Sequence, residues 1–207
     1  MTTPAVHAAG VTLPGKNAPP MDPRRLVRTS KYLSLHLRHR PERLGLSLAP
    51  GGWVEVDALL AAAARDGHPI SRAELDQVVA GSDKQRFGFD PSGTRIRANQ
   101  GHSVAVDLQL EPAEPPRVLY HGTAARSAAA ISRDGLRKMR RHQVHLSSDV
   151  ETARRVGARH GEPVVFAVDA AAMRGAGHVF YRSANGVWLT ERVPPEFLRP
   201  LRPEGRP

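Results

Sequence analysis

Across residues 24–40, Leu26, Ser30, Leu33 and Leu37 recur at helical spacing, and Pro41 cannot extend a helix, so the first predicted element is a helix ending before it. Gly51 and Gly52 form a turn into a short strand over residues 53–56, and an Ala-rich helix follows over residues 57–67, closed by Gly67. Ser71 and Glu74 have the spacing of a capping box, opening a third helix through residue 79. A hairpin comes next, its strands RFGFD and TRIRA joined by a Pro91-Ser92-Gly93 turn. Three helices closed by a hairpin predict a small winged-helix-like lobe over residues 24–110. After a linker at residues 111–116, residues 117–200 form a second lobe. Its expected elements are a strand at 118–121, a helix at 124–134 ended by Gly135, and a strand at 144–147. A helix at 150–159, a strand at 163–168 and a hairpin around Asn185-Gly186 follow. Short strands with only two helices predict an α+β fold whose sheets are antiparallel.

Residues 1–23 carry five prolines and little apolar content, so a disordered tail is expected there, with Met21 a candidate start. The apolar share of the chain, 40%, is enough to build packed cores within 207 residues. The chain has no cysteine, which excludes disulfides, thiolate metal sites and a cysteine nucleophile. No apolar run reaches membrane-span length and residues 1–20 lack a signal-peptide pattern, so a cytoplasmic protein is expected. The net charge is +10, and Lys occurs only at Lys16, Lys31, Lys84 and Lys138, so the excess is arginine. Arginine dominance fits phosphate or RNA binding, and it equally fits the coding bias of a GC-rich genome. Composition alone does not choose between them.

Spacing is more informative. In GLRKMRRHQVHLSSD (Gly135 to Asp149), Val144 and Leu146 alternate with Gln143, His145 and Ser147, placing polar side chains on one strand face just after Arg140, Arg141 and His142. A phosphorylated ligand requires such a cluster, whereas a core does not. Other candidates carry plainer readings. Arg38 and His39 fall where basic residues complement a helix C-terminus, and Asp83, Lys84 and Arg86 read as a charged turn. Tyr120, His121, Gly122 and Thr123 read as a strand end running into a glycine turn, and His145 as a core histidine. His142 and His145 would lie on opposite faces of a strand and lack a carboxylate pair, so no metal site is expected. Gln100, Gly101, His102 and Ser103 look like substrate-side contacts without an assignable role. No GxGxxG or Walker loop is present, so a nucleotide would bind by another arrangement.

Eight segments, in order, are similar to one family: SKYLSLHLRHRPE, GGWVEVDALL, DKQRF, RIRANQGHS, LYHGT, GLRKMRRHQVHLSSD, RHGEPVVF and SANGVWLT. The chain resembles the KptA-like RNA (tRNA) 2′-phosphotransferases, which remove the splice-junction 2′-phosphate in tRNA splicing, over nearly all of its expected folded length. The resemblance implies an RNA-facing winged-helix lobe joined to an ADP-ribosyltransferase-like lobe that binds NAD as co-substrate. It implies that an internal RNA 2′-phosphate attacks C1″ of NAD and expels nicotinamide, giving ADP-ribosylated RNA. The 2″-hydroxyl then attacks phosphorus, releasing 2′-OH RNA and ADP-ribose 1″,2″-cyclic phosphate. The family's Arg-His-Arg-Arg set falls on Arg38, His39, Arg86 and Arg141. Tyr120, His121, Gly122, Thr123, His145 and Ser147 are the implied NAD contacts, and Gln143 stands where the family usually has a histidine. A monomer that uses neither metal nor membrane is expected. The alternatives are an ADP-ribosyltransferase acting on terminal RNA or DNA phosphates, and a basic RNA-binding module with a vestigial enzyme lobe.

Overall fold

The computed structural model describes residues 19–82, 84–139 and 141–201; most of the tail expected for residues 1–23, together with Asp83 and Arg140, lies outside the described residues. Six helices are present, α1 (Pro23–Arg38), α2 (Val56–Arg65), α3 (Arg72–Ala80), α4 (Ala125–Asp134), α5 (Val150–Gly157) and α6 (Ala170–Gly175), among the described residues. The strands are β1 (Val54–Glu55), β2 (Phe87–Phe89), β3 (Arg95–Ala98), β4 (Val118–Ala124), β5 (Leu136–Arg137), β6 (Val144–Leu146), β7 (Pro163–Asp169), β8 (Phe180–Arg182), β9 (Trp188–Thr190), β10 (Arg192–Val193) and β11 (Leu198–Pro200). Every described strand pair is antiparallel. The α+β class and the antiparallel sheets are therefore as expected.

In the first unit, α1 starts at Pro23 because Asp22 caps it, its carboxylate accepting from the Arg25 amide, and because proline suits a first helical position. Leu33 and Leu37 face inward and meet Leu59, Leu75, Phe87 and Ile96 in one buried cluster. The Ser71–Glu74 capping box opens α3 as predicted. Folding begins before Arg24, against the tail boundary drawn at residue 23. Gln77 accepts from the Met21 amide at 2.7 Å and donates to the Pro19 carbonyl at 3.0 Å, and Met21 packs on the core. Val56 is the first residue of α2 and not the end of the preceding strand; its amide, which has no helical acceptor, donates to the Thr94 carbonyl at 2.8 Å.

The second unit has its own buried cluster, built on Leu119, Leu146, Val168, Met173 and Phe180. One sheet runs β11-β7-β4 and another β6-β9-β8. They are tied where Tyr120 and Ser147 exchange both backbone hydrogen bonds, at 2.9 and 2.8 Å. A third helix, α6, was not expected. The segment expected as a linker, residues 111–116, also pairs with the sheet edge: Pro112 bridges Tyr181, and the Ala113 amide donates to the Phe180 carbonyl at 2.8 Å. The units also touch where Asn185 donates to the Lys84 carbonyl at 2.9 Å and His142 Nε2 donates to the Val104 carbonyl at 2.6 Å.

Candidate functional site

Arg38 is the last residue of α1 and His39 its C-cap, while Arg86 lies just before β2 and Arg141 in the loop before β6. The fold brings these four together from both units. Arg38 Nη2 donates to the Arg86 carbonyl at 3.3 Å, and its buried Nε is without a partner. Burial, and then the charges of Arg86 and Arg141, lower the Arg38 pKa to about 10, so it stays cationic at neutral pH. Arg86 Nη1 approaches the Ser82 hydroxyl at 3.4 Å. Arg141 is exposed, and partial desolvation followed by the Arg159 charge lowers its pKa. None of Arg38, Arg86 and Arg141 is ion-paired with a carboxylate among the described residues. Like charges held together without counter-ions repel, so the arrangement is built for an anion.

His39 Nδ1 sits 2.9 Å from the Ser103 hydroxyl, and Ser103 is itself fixed by its amide donating to the Arg38 carbonyl at 2.9 Å. Burial and the charges of Arg38, Arg141 and Arg40 lower the His39 pKa, which keeps the ring neutral at pH 7. Gly101, with φ of +89°, lies against the Arg38 guanidinium, where a Cβ would stand 3.8 Å from Cζ. Of the loop residues that sequence reading left without roles, Ser103 therefore orients His39 and Gly101 backs Arg38. A lone serine and a glycine carry no signal for either job.

The residues implied for NAD group around the junction of β4 and β6. His121 Nδ1 donates to the His145 carbonyl at 3.1 Å, and His145 Nδ1 donates to the Gln143 carbonyl at 3.0 Å. Burial lowers the pKa of both rings, and that of His145, next to Arg141, to about 3. Both imidazoles are therefore neutral, with Nδ1 protonated and Nε2 a bare acceptor. The half-buried hydroxyls of Thr123 and Ser147 have no hydrogen-bond partner among the described residues, so they are free to meet a ligand. Gly122 is accounted for by packing: a Cβ there would stand 1.6 Å from the Ala153 carbonyl of α5. His142 and His145 bond to different carbonyls, those of Val104 and Gln143.

Comparison with known proteins matches residues 24–192 to the family described as RNA 2′-phosphotransferase, Tpt1 / KptA family. A protein of Nostoc punctiforme named "Probable RNA 2′-phosphotransferase" is 61% identical over 181 residues, covering 87% of this chain and 100% of the relative. One of the same name from Streptomyces coelicolor is 63% identical over 179 residues, covering 86% of this chain and 97% of the relative. A third, from Pseudomonas aeruginosa PAO1, is 52% identical over 180 residues, covering 86% and 99%.

Proposed function

The chain belongs to the RNA 2′-phosphotransferase, Tpt1 / KptA family, and from that premise we propose that it removes an internal 2′-phosphate from RNA by transferring it to NAD. The observation that carries this reading is the convergence of Arg38, Arg86 and Arg141 without a carboxylate. A diffuse RNA-binding surface does not gather three guanidiniums from separate elements onto one spot. A phosphomonoester dianion offsets their repulsion and takes several charge-assisted hydrogen bonds in fixed geometry. In this reading the first unit is the winged-helix-like, RNA-facing lobe and the second the ADP-ribosyltransferase-like lobe.

NAD supplies the electrophilic C1″ and the nicotinamide leaving group. The polar groups offered to it are neutral: the Nε2 acceptors of His121 and His145 and the hydroxyls of Thr123 and Ser147, with Tyr120 fixing the strand junction. Neutral acceptors and hydroxyls suit ribose and amide groups while the cations stay reserved for phosphate. The bound 2′-phosphate forms its bond to C1″ as the bond to nicotinamide breaks, the electron pair leaving with nicotinamide. The arginines hold that phosphate close and in line. The 2″-hydroxyl then bonds to phosphorus as the bond from phosphorus to the RNA 2′-oxygen breaks, and the hydroxyl proton ends on that oxygen. The arginines stabilise the charge gathering on the phosphoryl oxygens. Since Arg38 remains protonated, His39, neutral and oriented by Ser103, is the group in this cluster able to carry the proton.

Because guanidiniums do the neutralising, the reaction needs NAD and no divalent metal. The test is nicotinamide release from NAD and an oligonucleotide carrying one internal 2′-phosphate, in excess EDTA. Full release only with the phosphorylated RNA is expected; loss in EDTA with recovery on adding Mg²⁺ would overturn the reading.

A further inference from the structure

Residues 104–111 cross from one unit to the other as a strap, pinned by the Gly51 amide on the Asp107 carbonyl at 2.8 Å and by His142 on Val104. Beneath the strap is a cavity of about 510 Å³, lined among others by Gln100, Gly101, His102, Gln143, His145 and Tyr181. That volume is ample for a flat heterocycle. Gly101 is also the residue that backs the Arg38 guanidinium, so the cavity adjoins the phosphate cluster directly.

Its walls hold buried polar atoms that nothing satisfies. His102 is 3% exposed, and neither ring nitrogen has a partner. His145 Nε2 is likewise buried and unpartnered. Unsatisfied buried polar atoms are costly, and the two histidines that carry these both line the cavity, which points to a ligand that draws them into hydrogen bonds. Asp107 and Glu111 of the strap also line the cavity, but the chemistry on offer from the two rings is uncharged. His145, with Nδ1 donating to Gln143, keeps its one acceptor for NAD, which leaves His102, with one donor and one acceptor, for a second ligand. With both nitrogens free, His102 can exchange tautomer, so the nitrogen that meets the ligand can serve as either a donor or an acceptor. Burial, and the charges of Arg38, His142, His39 and Arg97, lower its pKa to about 4, so the ring does not compete for phosphate.

We infer that the strap cavity is a subsite for a nucleobase, that of the RNA nucleotide bearing the 2′-phosphate, with His102 as the residue that hydrogen-bonds its edge. The inference rests on the 2′-phosphate reading of the arginine cluster. Three things favour an RNA base over the heterocycles of NAD. The cavity opens beside the phosphate cations, two of its walls are the loop after β3 and the strap, and the residues implied for NAD lie mainly at the β4–β6 junction. Tautomer exchange makes the subsite tolerant of base identity, so the base anchors the nucleotide without selecting a sequence.

The test is equilibrium binding of a short 2′-phosphorylated RNA to the full chain, intact or abasic at the phosphorylated nucleotide, measured without NAD and repeated on His102→Leu and His102→Gln. Wild type should bind the abasic RNA about tenfold more weakly, the loss expected for missing edge hydrogen bonds. His102→Leu should bind both RNAs at that weaker level, and His102→Gln should recover part of the difference. Equal binding of intact and abasic RNA by wild type overturns the inference, with no variant needed. So does a His102→Leu protein that distinguishes the two RNAs as wild type does and instead raises KM for NAD. Nicotinamide release reports separately on the transferase reading: release with no base effect removes the subsite alone, and a base effect without release removes the transferase reading alone.

Discussion

Arg38 and His39 satisfy two descriptions at once. They occupy the C-terminal end of α1, where the helix dipole favours cations, and they form half of the proposed anion site. The dipole thus eases the gathering of like charges that the site requires. Sequence spacing alone left those descriptions open; resemblance supplied the functional one, and the structure places both residues at the end of α1 with Arg86 and Arg141 close enough to lower the Arg38 pKa. Burial separates the arginines: Arg38 and Arg86 are half-buried, whereas Arg141 is exposed on a loop of the other unit. Replacing Arg141 by Ala leaves the 2′-phosphate anionic, nucleophilic and held by two arginines, so attack on C1″ persists in part. The second step, in which charge grows on the phosphoryl oxygens, should slow by roughly 10²- to 10³-fold. The variant should accumulate RNA carrying ADP-ribose on its 2′-phosphate, visible by mass. Nicotinamide release slowed as much as product formation, with no intermediate, would assign Arg141 to substrate binding instead.

At the scale of elements, capped and turn-bounded segments were readable before folding. The Ser71–Glu74 box, the Pro91-Ser92-Gly93 hairpin and the Gly135 stop of α4 all lie where expected. Helix α6 escaped because AAAMRG spans fewer than two turns and has no polar-apolar period. The Pro- and Glu-rich composition of residues 111–116 likewise hid their pairing with β8. The glycine pair joining β4 to α5 was also beyond sequence. A Cβ on Gly122 would meet the Ala153 carbonyl at 1.6 Å, and one on Gly157 would meet the Thr123 carbonyl at 2.7 Å. The close seating of α5 on the strand bearing His121 and Thr123 depends on both. Gly122→Ala should destabilise the protein by about 3 kcal/mol or more, seen as a large drop in Tm. An unchanged Tm would show that α5 yields easily and that the glycine serves another purpose.

The whole molecule is two cores with the site at their junction, and that juxtaposition is what no local pattern encodes. Arg38 and Arg86 come from one unit and Arg141 from the other, tied by the strap and by the Asn185–Lys84 contact. In the proposed reading, the net charge of +10 draws RNA to such a surface, while the uncompensated trio selects the phosphate. No helix among the described residues is long and apolar enough to cross a membrane. The central claim is that phosphorus leaves the RNA 2′-oxygen and ends on the NAD-derived ribose. Tracing a radiolabelled internal 2′-phosphate after incubation with NAD and the protein tests it most directly. The account predicts that all label appears in a small ADP-ribose cyclic phosphate, with unlabelled 2′-OH RNA left behind; label recovered as inorganic phosphate, with or without NAD, would contradict it.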